Sequence, residues 1–583
     1  MTPQQRLLAE HDHEVFLKAC PGAGKTRTII NRVVNISEGL PIRKGIAVLS
    51  FTNSAVETFV ERCHLRNLDF IPKHPNFIGT FDSFIRQFLV SPSGIQGSEA
   101  RPVIVDSWDT LDVVVKINGS ESHKYPVSLD KFNPLDNQID PTKIGHNGLR
   151  NFVTQNRSAY ITSAARFRDS LKSKGYLSAA DARVIVTQNL GVESWARSLG
   201  VALASRFHEI IVDEAQDCNP EDITILRWLR SHGLRVTLVC DPDQAIYEFR
   251  HGDPANLQTF SDEYSSTNLL NLTGNFRSSP AICAFSATLR NRIQPDDSLG
   301  ENSSVQHPVQ IIFYSNAVSS AIGQKFIDIV NILEPNTKDA IVLSHGLRSA
   351  LVASGKTSPE DAGDSNLATL AKSISVYWSK SSTGRDKESC LRNAEKLLLS
   401  MMDKLEKNEH PSRAAERHSI DPRELRRKAI TLISSVPPVC VDSEDSRTEW
   451  LSILHSTVQN MSIQLPIGKS VKNFFPNRTT SKWPHLLQGT DENLCLCSTI
   501  HQVKGKEFDA VCVVLPTDRA PDNNTSTLFS HWESRLDHES KRVIYVGATR
   551  AKKILTLAIP QSFRDRMRTI LRSNTVPFTE FSV

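Results

Sequence analysis

A glycine-rich turn between an apolar run and a helix-compatible run constrains the fold more than any other stretch of this sequence. In chain order the three segments read Val15-Phe16-Leu17, Lys18-Ala-Cys-Pro-Gly-Ala-Gly-Lys-Thr-Arg27 and Thr28-Ile-Ile-Asn-Arg-Val33. Gly22 and Gly24 let the backbone turn with its N–H groups inward, and these donors, with the positive end of the next helix, can hold a polyphosphate. Lys25 can reach the β- and γ-phosphates, and the Thr26 hydroxyl can hold Mg²⁺. Strand, glycine turn and helix together predict a nucleoside triphosphate site.

Length, charge and cysteine use set the broad class. A chain of 583 residues is too long for one core, and roughly three to five domains are expected from typical domain sizes. The net charge of +4 is small for this length, so a surface that binds nucleic acid must be local. Cys495 and Cys497 lie two apart in a strand-like run and fit buried reduced thiols better than a metal or disulfide pair. With no leader and no apolar run approaching a membrane span of roughly 18 residues, we expect a soluble cytoplasmic protein with no membrane partner.

Continuous apolar strands alternate with helical segments, a pattern typical of parallel sheets covered on both faces. Strands are predicted in two sets, first at 45–51, 76–80, 208–214 and 235–241, and then at 309–314, 339–344, 510–515 and 554–559. Turn-rich and highly charged helical stretches interrupt both sets. We therefore predict an α/β fold with two parallel-sheet domains in tandem, each with a mainly helical insertion.

The predicted domain boundaries follow these changes of pattern. The first sheet domain takes 1–95 and 196–268 with its insertion at 96–195, and the second takes 269–345 and 486–583 with its insertion at 346–485. The charges of residues 385–432 in the second insertion are most simply a solvated helix face, with a dedicated binding surface as the alternative.

Two adjacent acids end one of the predicted strands, in the run Ile210-Ile-Val-Asp-Glu-Ala-Gln-Asp217. Phosphoryl transfer needs a carboxylate on the metal side and a group that activates water. Asp213 can hold Mg²⁺ through water, and Glu214 can accept a proton from the attacking water. The carboxyl end of a strand is where open α/β sheets place ligands, so these acids are expected beside Lys25 and Thr26.

With these motifs the chain resembles a superfamily 1 helicase of the UvrD/Rep/PcrA group. The matching segments occur in that group's order, as Pro3-Gln-Gln-Arg6, Phe51-Thr-Asn-Ser-Ala-Val-Glu57, Gly79-Thr-Phe-Asp-Ser-Phe84, Asp213-Glu-Ala-Gln216, Asp241-Pro-Asp-Gln-Ala-Ile-Tyr-Glu-Phe-Arg250, Gly274-Asn-Phe-Arg-Ser278, Thr499-Ile-His-Gln-Val-Lys-Gly-Lys-Glu-Phe508 and Tyr545-Val-Gly-Ala-Thr-Arg-Ala551. The resemblance implies RecA-like sheet domains, called 1A and 2A, with insertions 1B and 2B.

The resemblance implies an ATP and Mg²⁺ site with catalytic residues Lys25, Glu214, Gln244, Arg277 and Arg550. Gln244 is expected to sense the γ-phosphate, and both arginines are expected to neutralise charge that develops in the transition state. Mg²⁺ is expected on Thr26 and Asp213. Residues expected to bind the nucleotide are Gln5, Ala19, Cys20, Pro21, Gly22, Ala23, Gly24, Lys25, Thr26, Arg27, Phe276, Arg277, Glu507 and Arg550.

Individual nucleotide contacts are implied in the same way. Gln5 is expected to read adenine, Arg27 to pack beside the base and Glu507 to contact the ribose. Phe276 stands where the family often has tyrosine and keeps the aromatic face for stacking. Ala19 stands where the usual pattern has its first glycine, and alanine fits there if its φ stays negative.

Single-stranded nucleic acid is usually held by aromatic stacking, worth about 1–3 kcal/mol per base, with cations along the backbone. By resemblance the contact residues are Phe51, Thr52, Asn53, Thr80, Tyr247, Phe249, Arg250 and His501. Three further positions depart from the family's common residues, with Phe249 for tryptophan, Asp82 for histidine and Cys240 for glycine.

These features predict an ATP-driven single-stranded DNA translocase and DNA helicase, 3′→5′ by resemblance, acting on single-stranded and tailed duplex DNA. One alternative is a DNA-stimulated ATPase subunit of a repair or anti-phage complex with a separate nuclease, as in Gabija. Another is a catalytically idle DNA-binding scaffold. RNA is a further possible track, because stacking does not distinguish the sugars.

Overall fold

In a computed structural model the chain divides into two units, Met1–Asn275 and Phe276–Val583. Each unit contains one six-stranded parallel sheet, which is built from continuous apolar strands. The structure describes residues 2–583 except 96–97, 112, 118–124, 145–146, 247–253, 291–293, 316, 336, 338, 356–365, 379–383, 406–410, 439–443, 477–494 and 516–524. The α/β fold with two parallel-sheet domains in tandem is thereby confirmed.

Helices separate the strands of the main sheet in the first unit, as the sequence predicts. Its helices are Pro3–Glu10 (α1), Lys25–Ser37 (α2), Asn53–His64 (α3), Phe81–Phe84 (α4), Asn147–Gln155 (α5), Arg157–Ser173 (α6), Ala179–Asn189 (α7), Glu193–Arg206 (α8), Pro220–Ser231 (α9) and Pro254–Ser261 (α10). Its strands are Phe16–Ala19 (β1), Gly45–Ser50 (β2), Phe77–Thr80 (β3), Val103–Val105 (β4), Val114–Val115 (β5), Val127–Ser128 (β6), Tyr176–Ser178 (β7), Phe207–Asp213 (β8), Arg235–Cys240 (β9), Leu269–Leu272 (β10) and Gly274–Asn275 (β11).

The six-stranded sheet of the first unit has the order β10-β1-β9-β8-β2-β3, and its strands pair in parallel. Successive residues of one strand enter different apolar clusters: Ile210 and Val212 of β8 belong to one, and Ile211 to the other. Because side chains alternate between the faces of a strand, both faces of the sheet are buried. This explains why its strands read as unbroken apolar runs.

The first insertion has a small core of its own between Trp108 and Ala164. Leu177, Ala182 and Leu203, which follow it, pack instead in a cluster of the first sheet. Helices α7 and α8 therefore cover the sheet, although most of this stretch lies inside the predicted insertion at 96–195. The exact domain boundaries stay a prediction.

The second unit repeats the sheet plan with a longer helical insertion. Its helices are Pro280–Thr288 (α11), Ser320–Leu333 (α12), Leu347–Ala353 (α13), Asn366–Trp378 (α14), Gly384–Met401 (α15), Pro411–Arg417 (α16), Pro422–Ser435 (α17), Glu444–Asn460 (α18), Val471–Phe474 (α19), Thr525–Glu533 (α20), Glu539–Ala548 (α21) and Arg564–Ser573 (α22). Its strands are Asp297–Ser298 (β12), Val309–Tyr314 (β13), Ala340–Ser344 (β14), Leu496–Thr499 (β15), Phe508–Val514 (β16), Ala551–Pro560 (β17) and Phe578–Ser582 (β18).

The second sheet has the strand order β15-β14-β16-β17-β13-β18, again with parallel pairing. Cys495 and Cys497 pack together in the apolar cluster on one of its faces. Both are free thiols, as are the other cysteines of the described part of the chain. The helices from α14 to α19 share a separate core that runs from Leu367 to Phe475. No helix in the described part of the chain is long and apolar enough to cross a membrane.

A buried ion pair fixes α1 and the loop after it to the first sheet. The Arg32 side chain is fully buried, and its Nε lies 2.9 Å from Glu209 Oε1 on β8. Its two terminal nitrogens donate to the carbonyls of Leu8 and His13, each at 2.8 Å. Arg32 therefore joins α2, α1 and β8.

We predict that Arg32→Ala destabilises the first unit by about 3–5 kcal/mol, because the buried Glu209 carboxylate loses the guanidinium that neutralises it, and the Thr237 hydroxyl that still donates to it carries no charge. The measurement is urea-dependent proteolysis of the full chain. Arg43→Ala, at an exposed position, is the matched control, and it should change the free energy of unfolding little. The apolar double variant Arg32→Met/Glu209→Met should lose less than Arg32→Ala, and an equal or larger loss would contradict this account.

Candidate nucleotide site and nucleic-acid surface

The glycine turn has the backbone that the sequence predicts for it. Strand β1 ends at Ala19, and Gly22 and Gly24 follow with φ of 71° and 74°. Gly24 caps α2 in the left-handed region, and a Cβ there would lie 3.0 Å from the Gln5 Nε2 atom. Ala19 is part of a strand and not among the positive-φ residues, so alanine fits this position.

Gln5 supports the turn from α1. Its Nε2 donates to the Ala23 carbonyl at 2.8 Å, and its Oε1 accepts from the Thr2 N–H at 3.0 Å. The Thr2 hydroxyl in turn accepts from the Gln5 N–H, which completes a capping box at the start of α1. The amide of this buried glutamine thus holds the turn, and its contact with adenine stays a prediction.

Lys25 and the strand-end acids are brought together. The Lys25 Nζ lies 3.4 Å from Glu214 Oε1. Burial by itself would lower the pKa of Lys25, but the carboxylates of Glu214, Asp241 and Asp213 outweigh it and raise the pKa above its ordinary value. The ammonium group therefore stays charged near neutral pH and can neutralise phosphate oxygens.

Glu214 occupies a sparsely populated backbone conformation, with φ 57° and ψ 39° in the left-handed region. For a residue with a Cβ this typically costs about 1–3 kcal/mol and is found mostly at functional sites. The Glu214 N–H donates to Asp213 Oδ1 at 3.0 Å, and the Gln216 side-chain amide donates to Glu214 Oε2. The contacts with Gln216 and Lys25 hold the Glu214 carboxylate, the group that is expected to accept a proton.

A hydrogen-bonded chain continues from this acid to Gln244. The Gln216 Oε1 accepts from the Asp241 N–H at 3.0 Å, and the Gln244 Nε2 donates to Asp241 Oδ2 at 2.7 Å. Gln216, Asp241 and Gln244 are all buried. Gln216 and Asp241 were not predicted as site residues, although both lie in matched motifs. Asp241 directly follows β9, and Gln216 lies three residues beyond the end of β8.

The predicted Mg²⁺ ligands suit that ion. Thr26 lies in the first turn of α2 and Asp213 at the end of β8, and hydroxyl and carboxylate oxygens are ligands that Mg²⁺ accepts. Burial, and next the Glu214 carboxylate, raise the pKa of Asp213 to about 6. A divalent cation would favour the ionised form of this carboxylate, so the donor set fits the metal.

The second unit brings its own predicted site residues together around Thr549. The Arg277 Nε lies 2.7 Å from Glu507 Oε2, and its Nη1 donates to the Thr549 carbonyl at 3.0 Å. The Arg550 side chain is buried and donates to the carbonyls of Val546 at 3.0 Å and Lys506 at 3.2 Å.

Phe276, the aromatic residue next to Arg277, is exposed, whereas the Arg550 side chain is buried. Phe276 precedes Arg277 directly and is 38% exposed. A ring of this exposure is free to receive a flat partner on one face. The expected adenine contact of Phe276 stays a prediction, as does the ribose contact of Glu507.

The predicted nucleic-acid residues of the first unit lie where β2 and β3 end, since Ser50 pairs with Thr80. Thr52 caps α3 through the Ala55 N–H, and Asn53 is exposed in the first turn of that helix. Phe51 is partly buried and stacks on Phe81, with ring centroids 5.7 Å apart and planes at 8°.

Thr80 has a comparable position at the end of β3. Its side chain caps α4 by accepting from the Ser83 N–H at 3.1 Å. The two threonines therefore begin neighbouring helices at one edge of the sheet. An edge of this kind offers hydroxyl groups and helix N–H donors to phosphates.

Asp82, one of the departures from the family pattern, has a structural partner. It lies 2.5 Å from Arg183 Nη1, and Arg183 Nε lies 2.7 Å from Asp222 Oδ1. The guanidinium thereby joins α4, α7 and α9, and its carbon lies 6.0 Å from the Phe81 ring centroid. The carboxylate at position 82 serves this packing.

In the second unit, His501 follows β15 and meets the His345 ring edge to face, with centroids 5.2 Å apart. Burial lowers the pKa of His345 below its ordinary value. The other three predicted contact residues, Tyr247, Phe249 and Arg250, lie outside the described residues.

Comparisons with known proteins cover most of the sequence. Residues 1–265 match the family model for the UvrD/REP helicase N-terminal domain, and residues 364–562 match that for the UvrD-like helicase C-terminal domain. ATP-dependent DNA helicase PcrA of Staphylococcus aureus strain Mu50 is 22% identical over 629 aligned residues, covering 95% of this chain and 82% of the relative.

Two further relatives match over shorter stretches. ATP-dependent DNA helicase UvrD1 of Mycobacterium leprae is 23% identical, with 48% of this chain and 38% of the relative covered. ATP-dependent DNA helicase srs2 of Schizosaccharomyces pombe is 24% identical, with 57% of this chain and 39% of the relative covered.

We predict that Glu214→Gln binds ATP but hydrolyses it about 10²–10⁴-fold more slowly, the usual contribution of a general base. The amide keeps the size of the side chain and loses only its ability to accept a proton. Steady-state ATP hydrolysis and nucleotide-binding titrations provide the measurement. Glu193→Gln, on the exposed start of α8, is the control, and normal turnover by Glu214→Gln would remove Glu214 from the proposed role.

Proposed function

The chain belongs to the UvrD/Rep/PcrA-like family of superfamily 1 ATP-dependent DNA helicases, and on that premise we propose that it is a single-stranded DNA translocase that moves 3′→5′ and separates tailed duplexes. The observation that supports this most is the cluster of Lys25, Glu214 and Gln244 at the carboxyl ends of three neighbouring strands. Burying these charged and polar groups costs free energy, and so does the left-handed backbone of Glu214. A catalytically idle scaffold would have no need of either.

We propose the following roles within the first unit. The glycine turn and Lys25 hold the β- and γ-phosphates, and Thr26 and Asp213 hold Mg²⁺, which neutralises phosphate charge when it is bound. Glu214 accepts a proton from the attacking water. Gln244 senses the γ-phosphate and is coupled to the general base Glu214, because Asp241 and Gln216 connect the Gln244 amide to the Glu214 carboxylate by hydrogen bonds.

Arg277 and Arg550 are proposed to neutralise charge on the γ-phosphate during transfer. Glu507 holds Arg277 in the second unit, and this half-exposed carboxylate can release the guanidinium when a phosphate competes for it. Arg550 is fixed by backbone carbonyls, which orients its side chain in advance. Phe276 and Glu507 are proposed to bind the base and the ribose, and Gln5 and Arg27 of the first unit are proposed to contact the base.

Phe51, Thr52, Asn53 and Thr80 are proposed to contact single-stranded DNA at the edge where β2 and β3 end. The N-terminus of α3 offers backbone N–H donors to phosphates, and the Phe51 ring, supported by Phe81, offers a face for stacking. Tyr247, Phe249, Arg250 and His501 are proposed to complete the track. Binding and release of ATP would alternate the grip of these groups on the strand.

The domain limits are part of the proposal. Residues 1–95 and 196–268 are assigned to RecA-like domain 1A with 1B at 96–195, and residues 269–345 and 486–583 to domain 2A with 2B at 346–485. The packing of Leu177 and Ala182 in the first sheet's cluster supports moving the end of 1B to about residue 175.

Unwinding of 3′-tailed, 5′-tailed and blunt DNA in the presence of ATP and Mg²⁺ tests the proposal. Separation of the 3′-tailed substrate alone is expected, with matching RNA tails giving little activity. Unwinding of only the 5′-tailed substrate would contradict the polarity. DNA-stimulated hydrolysis with no unwinding by the isolated chain would instead favour an ATPase subunit that needs a partner such as a nuclease.

Replacement of the second-unit arginines should separate hydrolysis from DNA binding. Arg277→Ala and Arg550→Lys are each expected to lower kcat by about 10³–10⁵-fold, the range for arginines that neutralise transferring phosphoryl groups. Affinity for single-stranded DNA should change little, as read by fluorescence anisotropy. Arg572→Ala, exposed on α22, is the control, and near-normal hydrolysis by both variants would exclude a role at the γ-phosphate.

A further inference from the structure

The amino ends of four neighbouring strands in the first sheet each carry at least one basic residue. In spatial order these strands are β9, β8, β2 and β3. The basic residues at or within four residues of their starts, which we call the basic edge, are Arg235, Arg206, Arg43 with Lys44, and Lys73. Because neighbouring strands lie about 4.8 Å apart, the basic edge is about 14 Å long, the length of roughly four extended residues. The nucleotide site lies at the opposite, carboxyl edge of this sheet.

The starts of β2 and β3 are held against each other through their backbones. Gly45 lies so close to Pro75 that a Cβ on the glycine would be 2.2 Å from the Pro75 carbonyl oxygen. The Ile46 N–H donates to Asn76 Oδ1 at 2.9 Å. The segments that lead into these two strands therefore emerge side by side, and each brings part of the basic edge.

The charges of the basic edge are not neutralised within the unit. In the part of the chain that the structure describes, none of its five residues forms an ion pair. The Arg206 guanidinium lies 5.1 Å and 5.0 Å from the ring centroids of Phe88 and Phe207. These aromatic faces hold the guanidinium in place and leave its charge available to an anion.

The side chain of His208, in the first turns of β8, shows that the charges of neighbouring strands act on one place. Burial, and next the positive charges of Arg235, Lys44 and Arg32, lower the pKa of His208 below its ordinary value. Arg32 is neutralised by Glu209, whereas Arg235 and Lys44 belong to the basic edge. Like charges brought together in this way repel one another, and an anion placed between them relieves the repulsion.

A cleft of about 590 Å³ lies beside the Arg235 end of the basic edge. Three arginines line it. Arg227 pairs with Glu263 at 2.6 Å and Arg230 with Glu14 at 2.5 Å, whereas Arg235 has no carboxylate of its own among the described residues. The cleft has the volume of a ligand pocket, so an acidic side chain from outside the unit can enter it and reach Arg235.

Exposed apolar side chains accompany the basic edge at β2 and β3. Ile42 directly precedes Arg43 and is 93% exposed, and Phe70 lies three residues before Lys73 and is 48% exposed. Protein interfaces combine apolar contacts with a polar rim. An apolar side chain gains nothing from a phosphate backbone, so this combination favours an acidic protein segment over a nucleic acid.

We propose that the basic edge, together with Ile42 and Phe70, is the docking surface for an acidic segment of a partner protein. The segment lies across the amino ends of β9, β8, β2 and β3. Its carboxylates pair with the basic edge, one of them inside the cleft beside Arg235, and its apolar side chains cover Ile42 and Phe70. The partner leaves the nucleotide site open, because that site occupies the other edge of the sheet. Docking does not depend on ATP hydrolysis or on translocation polarity.

Binding of a fluorescein-labelled peptide to the full chain without ATP tests the charged part of the surface. The peptide has ten residues, seven glutamates with two leucines and one phenylalanine, and binding is read by fluorescence anisotropy. Lys44→Gln/Arg235→Gln is expected to weaken binding about fivefold or more, because it removes two of the five charges that face the peptide. Arg423→Gln/Arg572→Gln removes the same charge from exposed sites of the second unit and should bind as the unmodified chain does.

The apolar part of the surface is tested by Ile42→Ser, which should weaken binding of the same peptide several-fold. Ile332→Ser, at a position that is 78% exposed on α12, is the matched control and should leave binding unchanged. A second peptide, with serine in place of the leucines and the phenylalanine, should bind the Ile42→Ser variant and the unmodified chain equally.

Circular dichroism and hydrolysis stimulated by single-stranded DNA should be unchanged in Lys44→Gln/Arg235→Gln. The first shows that the variant is folded whether or not the chain is a helicase, and the second separates docking from the motor. No binding of the peptide by the unmodified chain, or an equal loss in the control Arg423→Gln/Arg572→Gln, would overturn the proposal. Blunt duplex DNA that loses as much affinity as the peptide in Lys44→Gln/Arg235→Gln, with normal peptide binding by Ile42→Ser, would overturn it too and assign the basic edge to nucleic acid.

Discussion

The contact between Lys25 and Glu214 is the interaction on which the rest of the site depends. It joins the first turn of α2 to the end of β8, two segments almost 190 residues apart in the sequence. The parallel sheet makes this possible, because β9 lies between β1 and β8 and pairs with both. The loops after β1, β8 and β9 therefore meet at one edge, and Asp241 follows the middle strand. Without this strand order the turn and the acids would be separate surface features.

The first sheet carries two groups of buried charges, one that stabilises the fold and one that forms the nucleotide site. Arg32 and Glu209 neutralise each other in the interior, where breaking the pair would leave an isolated charge. At the carboxyl edge, Lys25 faces an excess of carboxylates, which keeps it charged. The structural pair fixes α1, and α1 in turn presents Gln5 to the glycine turn. The ion pair near the start of β8 thereby helps to hold the glycine turn in place at the carboxyl end of the sheet.

Local sequence signals predicted the fold class and the two parallel sheets. Short segments of a few residues are enough to predict the glycine turn, the unbroken apolar strands and the acids at the end of β8. The bond from Gln216 to Asp241 and the ion pair between Arg183 and Asp82 have no such signal, because they join side chains from distant segments. The attachment of α7 to the first sheet was not predicted for the same reason: amphipathic helices do not reveal which core they cover.

The most direct measurement of the central claim is ATP hydrolysis by Lys25→Ala, with single-stranded DNA binding measured in the same preparation. If the cluster around Lys25 is the motor's nucleotide site, hydrolysis is lost, because Lys25 supplies the positive charge that the β- and γ-phosphates require. Binding to single-stranded DNA is retained, since Phe51 and Thr52 lie after a different strand. Hydrolysis at the normal rate by the purified variant would contradict the account.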